Sequence, residues 1–392
     1  MLPQTEGNDR ASGRMVPLDR ARTFITLLVL IHHAVINYTY FGSGDKMRWI
    51  GFDLVVLFND SFFMACMFLI SGLFVHASLT RRGAADFVRE RAWRLGIPFL
   101  VSVFVLMPIA YYPTFLRYHL PGTTDFNFLH FWWRTLTVGP WPSGPAWFLW
   151  VLLALDIVAA ALWALAPRLL KAFGLLIFSL RERPWTAFVG FLAFSVAVYV
   201  PMRLIFGDSS WLEPRGYPLP IQTSRILLYA GYFLVGVGIG AVSLRAGILG
   251  GEGELVRRWP AWLAFALLFY GAILLMVYGR YNWIADFDSP ALLWRTAYGV
   301  AFALFSAAMA FTVLTVSVHL APASMRLLDA MQPSAYGIFL THYIFIIWLQ
   351  YAVYDYGWPA IVKFAVVFVG TLSLSWGVTA LLRRIPVVAR MI

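Results

Sequence analysis

The chain alternates long apolar runs with short polar stretches. A helix needs about 20 apolar residues to cross the hydrocarbon core of a bilayer. Ten runs approach or exceed that length, at roughly 22–41, 54–78, 96–114, 146–166, 187–206, 224–243, 261–278, 295–317, 335–354 and 361–382. The pattern predicts an all-α polytopic membrane protein of about ten transmembrane helices, with residues 18–392 forming a single transmembrane domain. Met1–Pro17 is polar and lacks the apolar core and cleavage site of a signal peptide, so it reads as a short disordered cytosolic tail. Two stretches are too polar to span. Arg117–Ala146, rich in aromatics and prolines, reads as an interfacial or re-entrant element, and Leu169–Pro184 as an amphipathic surface helix ending at Arg181 and Arg183.

Composition sharpens this picture. Only 12% of the residues are charged, about half the share of a soluble domain, which leaves little room for one. The net charge of +11 would suggest nucleic acid in a soluble protein; here it records the bias of Lys and Arg toward cytoplasmic loops, and no nucleic-acid partner is expected. With the N-terminus inside, 20 of the 30 Lys and Arg residues fall on the inner side, which puts both termini in the cytoplasm. Cys66 is the sole cysteine, so no intrachain disulfide forms. No metal-ligand spacing appears, since His32 and His33 are adjacent and no His-x3-His exists.

The ionisable residues inside the apolar runs carry the chemistry. In the first run His33 follows Arg22 by eleven positions, which on a helix is three turns plus about 20°, on one face and roughly 16 Å apart. His32 points about 80° away from that face. Rise per residue places Ser71, Asp156 and His342 at about the same depth as His33, near the bilayer centre. Polar groups there cost several kcal/mol unless paired, so the four are expected to share one interior cavity. Each also has a structural alternative. Ser71 commonly bonds a backbone carbonyl while Gly72 permits close packing, and His342 could bridge two helices. Asn59 and Asp60 lie nearer the outer face, where a substrate would enter. Arg91 and Arg94, one turn apart in the most cationic loop, could grip a phosphate or simply act as a stop signal. Trp132, Trp133, Trp141 and Trp147 read first as an aromatic belt and second as sugar-stacking surfaces.

These residues fall into motifs. Arg22 and His33 with Asp19, Phe62–Phe74, Arg91 and Arg94 within Phe87–Leu100, Pro145–Leu153 and Ala335–Phe345 together resemble the acyltransferase-3 family of membrane acyltransferases, in order along nearly the whole chain. Within it, LDRARTFITLLVLIHH, LFNDSFFMACMFLISGLF and RERAWRLGIPFL look closest to the glucan biosynthesis protein C branch, which is associated with succinylation of periplasmic glucans. The chain lacks the Glu-Glu found after the fourth-helix motif in many O-acetylases and carries Asp156 nearby, a candidate substitute acid.

The resemblance implies a multi-pass protein of the bacterial inner membrane that moves a succinyl or acetyl group from cytosolic acyl-CoA to a hydroxyl of an envelope glycan. Acyl-CoA is then a co-substrate, and no cofactor is bound permanently. Arg22, Arg91 and Arg94 would hold the donor phosphates, and His33 would act as general base. Asp156, His342 and Ser71 complete the catalytic set, with Ser71, Asn59 or His342 orienting the hydroxyl or the oxyanion. Asn59, Asp60 and Trp147 would meet the acceptor. The alternative is a proton-coupled transporter built on the mid-membrane His and Asp residues. Against it, no repeat symmetry or broken helix pair is visible in the sequence.

Overall fold

The computed structural model describes residues 16–42, 44–118, 127–138, 140–207, 211–212, 221–242, 247–251, 253–283 and 291–392. Ten helices are long and apolar enough to cross a membrane: α1 (Val16–Tyr38), α2 (Ile50–Arg82), α3 (Ala84–Arg117), α4 (Gly144–Leu165), α5 (Pro184–Phe206), α6 (Thr223–Gly240), α7 (Trp259–Asn282), α8 (Leu292–His319), α9 (Arg326–Ala352) and α10 (Ala360–Leu382). The protein is thus an all-α polytopic membrane protein. Each expected run is recovered, and most helices extend beyond it, because helical hydrogen bonding continues past the point where side chains turn polar. One consequence is that Val16 and Pro17, expected in the tail, already form the first turn of α1, where proline's missing N–H leaves no bond unmade. Met1–Met15 lie outside the described residues, as do Asp208, Glu213, Asp286 and Asp288.

Helix α8 is the most buried span and forms the packing centre, while α1 is flanked by α2, α8, α9 and α10. Arg20 fixes one end of α1. Its Nε and Nη2 donate to the two Asp329 carboxylate oxygens at 2.6 and 2.9 Å, and its Nη1 reaches the carbonyls of Leu320 and Ala321. At the opposite end of the bundle Lys363 donates to both oxygens of the fully buried Asp45, at 3.0 and 2.8 Å, and to the Tyr354 carbonyl. Buried charges of this kind persist only when paired.

Two spans depart from straight helices, unlike the continuous helices read from the sequence. Helix α2 consists of three pieces, Ile50–Asp60, Phe63–Gly72 and Val75–Arg82. Its middle piece lies against α6 so closely that a Cβ on Gly72 would come within 2.2 Å of the Phe233 carbonyl, and one on Gly236 within 2.1 Å of the Leu69 carbonyl. Only glycines permit that approach. Helix α3 widens into π-helical turns at Ala92–Gly96 and Ser102–Leu106. Its prolines at 98, 108 and 113 cannot donate to the carbonyls four residues earlier, those of Arg94, Phe104 and Ile109. In hydrocarbon a freed carbonyl must find another donor. All three do: Tyr336 Oη donates to Arg94 O at 2.7 Å, Trp132 Nε1 to Phe104 O at 2.7 Å, and Trp348 Nε1 to Ile109 O at 3.0 Å. Two of these donors belong to α9, so the prolines lock α3 to α9.

Outside the spans, Pro167–Ser179 is a surface helix that tucks Leu170 and Gly174 inward and leaves Leu169, Leu175 and Leu176 exposed, as an interfacial helix does. Phe128–Thr137 is a second short helix, capped by the Asn127 side chain and with no residue fully buried. Trp211–Leu212 and Ile221–Gln222 pair as a minimal antiparallel ladder.

Candidate functional site

Two cavities lie one above the other along α1, and a single stripe of that helix serves both. Arg22 and Thr26 border the first, of about 790 Å³, while Val29 and His33 border the second, of about 560 Å³. The spacing is i, i+4, i+7, i+11, one face of an α-helix. The sequence expectation for Arg22 and His33 therefore holds in its geometry.

The first cavity is basic. Six arginines line it (Arg22, Arg81, Arg82, Arg91, Arg94 and Arg383), against two carboxylates, Asp19 and Glu90. The chain's last residues reach the same wall, with Ala389 and Ile392. Arg22 stacks over Phe74 at 4.3 Å, with Asp19 at 3.7 Å. Its neighbour Arg20 belongs to the Asp329 network instead, so the two cations that look alike in sequence have separate roles. Glu90 contacts Arg82 and lies 3.9 Å from Arg94. Asp156, fully buried, approaches Arg91 Nε at 3.2 Å. The wide π-turn beginning at Ala92 sets Arg94 on the cavity wall, and the Tyr336 bond to its carbonyl holds that turn.

The second cavity is aromatic and nearly uncharged. His32, His33, Asp60, Arg225, Tyr111, Tyr343, Trp141 and Trp147 are among its walls. Its one described ion pair is closed on itself: Arg225 donates to Asp60 through Nη1–Oδ1 at 2.9 Å and Nη2–Oδ2 at 2.5 Å, and Nη1 also reaches the Asp60 carbonyl. That bidentate contact spans the break in α2 between Asp60 and Phe63, joining it to the start of α6. His33 sits in a cluster of rings, with His342 at 5.5 Å, Tyr343 at 5.2 Å and His32 at 5.3 Å between centroids. His342 is fully buried, and its Nδ1 lies 2.6 Å from the Phe339 carbonyl, which only an N–H can satisfy. The proton is thereby held on Nδ1, and Nε2 is left as an acceptor with no donor among the described residues. Gln350 donates to the His33 carbonyl at 3.1 Å and fixes the backbone below the ring.

The expected four-residue cavity is not what forms. His33 and His342 do come together, but Ser71 faces the basic cavity and Asp156 lies against Arg91. Depth arithmetic fixes height, whereas azimuth depends on how each helix is rotated by its packing. Asn59 reaches neither cavity: it is buried, and its Nδ2 points to the Leu28 carbonyl at 3.4 Å. Asp60 and Trp147 line the second cavity. His32, set 80° off the face by helical geometry, borders the same cavity, because the space wraps around α1. The tryptophans divide: Trp141 and Trp147 face the cavity, Trp132 serves the α3 backbone and Trp133 is exposed. Arg225, Tyr343, Tyr111 and Gln350 escaped the sequence reading. For Arg225 a signal existed, a lone cation opening an apolar run. Among the described residues no group of three His, Cys, Asp or Glu side chains could hold a metal.

A ten-span bundle thus carries an arginine-lined cavity and a histidine-lined cavity along one face of α1. The acyltransferase domain family (acyltransferase 3) matches residues 16–380, and the chain belongs to it. The protein is a membrane acyltransferase. No curated protein matches the chain significantly.

Proposed function

We propose that the protein transfers an acyl group, succinyl or acetyl, from cytosolic acyl-CoA to a hydroxyl of an extracytoplasmic glycan, in the inner membrane of a bacterium and with the arginine cavity facing the cytosol. The observation that carries this reading is the α1 stripe: one helix face puts Arg22 in an arginine-lined cavity and His33 in a second cavity, about 16 Å apart. Coenzyme A has that division itself, with phosphates at one end and a thioester at the end of an extended arm.

Arg22, Arg91 and Arg94 pair with the donor phosphates, where guanidinium geometry favours bidentate contacts. Asp156 orients Arg91 and is a positioning residue, rather than the acid that the sequence suggested. The arm carries the thioester past Ser71 toward His33. His33 takes the proton of the acceptor hydroxyl as its oxygen attacks the thioester carbonyl carbon; the C–S bond then breaks and the imidazolium returns the proton to the leaving thiolate. His342, held in one tautomer by Phe339, positions the His33 ring. Trp141 and Trp147 offer stacking faces for a sugar, and Asp60, fixed by Arg225, offers an acceptor for its hydroxyls. The likeness of the first two helices and the basic loop to the glucan biosynthesis protein C branch favours a glucan acceptor.

The test is binding of acyl-CoA to the purified protein, combined with mass spectrometry of envelope glycans from cells with and without the gene. Binding of CoA together with loss of a succinyl or acetyl ester is expected, and the lost mass identifies the group. Absence of CoA binding overturns the reading.

A further inference from the structure

Phe339 is the only described residue that lines both cavities. Its side chain is 5% exposed, and its ring stands between Phe148 of the basic cavity wall, at 6.0 Å, and His342, at 5.9 Å. Its own carbonyl receives the His342 Nδ1–H. One residue of α9 thus borders both spaces and fixes the ring that packs on His33. The residues flanking it on the two sides have opposite character. Arg22, Arg91 and Arg94 make one cavity a place for an anion, and His33, Tyr111 and Tyr343 make the other a place for hydroxyls and water.

We infer that the Phe339 ring is the partition between the donor and acceptor chambers, and that it decides whether the acyl group goes to the acceptor hydroxyl or to water. This rests on the acyl-CoA reading for its chemical consequence, although the partition itself does not. The base that activates a sugar hydroxyl activates water equally well, and a thioester standing in an open, hydrated channel is lost by hydrolysis. In that side reaction a water oxygen bonds to the acyl carbon, the C–S bond breaks, and the free acid and the CoA thiol leave. Closed enzyme sites suppress such reactions by excluding water. An aromatic ring does so here without adding a polar group that would compete for the thioester. It has to swing aside only when the arm threads through, and α9 holds its backbone through the Tyr336 and Trp348 bonds to α3.

The experiment compares the wild type with Phe339→Ala and Phe339→Tyr in sealed vesicles. Without acceptor, Phe339→Ala is expected to release CoA thiol from acyl-CoA about tenfold faster than the wild type while binding the donor equally well, and Phe339→Tyr to restore the slow rate. Unchanged hydrolysis in a folded, donor-binding Phe339→Ala protein overturns the inference.

A second measurement is independent of the donor. Cys66 is the sole cysteine and is replaced by Ala; Met64, on the second cavity wall, is then replaced by Cys. A charged thiol reagent supplied from the arginine-cavity side is expected to modify Met64→Cys about tenfold faster when Phe339 is also Ala, with reaction from the other side unchanged. Equal modification with and without the ring overturns the partition. Failure of the wild type to bind acyl-CoA, with the labelling difference intact, overturns the donor reading and leaves the partition standing.

Discussion

The two cavities differ in how they treat charge. In the basic cavity six arginines outnumber the carboxylates: Glu90 contacts Arg82 and Asp156 lies 3.2 Å from Arg91, but Arg22 and Arg94 have Asp19 and Glu90 only at 3.7 and 3.9 Å, and Arg81 and Arg383 face the same space. In the histidine cavity the single described cation, Arg225, is closed by a bidentate carboxylate. Unbalanced positive charge in a cavity is costly unless an anion is due to arrive, whereas a neutralised pair is architecture. Under the proposed acyl transfer the contrast separates a donor chamber for a polyanion from an acceptor chamber for hydroxyl groups, and it can be broken residue by residue.

The largest effect is expected at His33. His33→Ala should lower acyl transfer by about 10²- to 10⁴-fold, the usual contribution of a general base, with donor binding intact. Radiolabelled acyl-CoA measured for both binding and transfer checks this, and substantial transfer by the variant would remove the base from the scheme. Next is the closed pair. Asp60→Ala leaves the Arg225 guanidinium buried and unpaired, so a loss of about 3–5 kcal/mol in stability is expected, read as a lower melting temperature in detergent; Asp60→Ala with Arg225→Met should recover much of it.

Arg91→Ala with Arg94→Ala should weaken donor binding by about tenfold to a hundredfold per lost phosphate contact and flatten its dependence on salt, with acceptor kinetics unchanged. Unaltered acyl-CoA kinetics would show that these cations serve membrane topology alone. Asp156→Asn, which loosens Arg91 without removing it, should raise the donor KM by about fivefold and leave kcat nearly unchanged. An equal fall in kcat instead would return Asp156 to the catalytic set. The smallest effect belongs to Tyr336→Phe, which frees the Arg94 carbonyl and should cost about 1–3 kcal/mol, with donor binding slightly weakened.

The difference between the cavities was partly legible in the chain. Arg22 and His33 could be placed on one face because both lie on one helix, where 3.6 residues per turn fixes their relation. Arg91 and Arg94 stood out for the same reason. Asp156 and Ser71 were given the wrong neighbours, since counting residues gives height along a helix axis and carries no information about which helices flank it. The pairing of Asp60 with Arg225 joins residues 165 positions apart across the break in α2, and no local pattern encodes it.

What the sequence by itself determined is the number of spans, the all-α class, the motif order and the α1 stripe, all of which follow from hydropathy and helical periodicity acting within one segment. Tertiary structure decided the rest. The three prolines of α3 look like flaws in a helix until Tyr336, Trp132 and Trp348 arrive to satisfy the carbonyls they free. Phe339 looks like any apolar residue until two cavities are found on either side of it. In each case the decisive partner comes from another helix, and the rotation and approach of helices are set by side-chain packing over the whole bundle rather than by the segment that carries the residue.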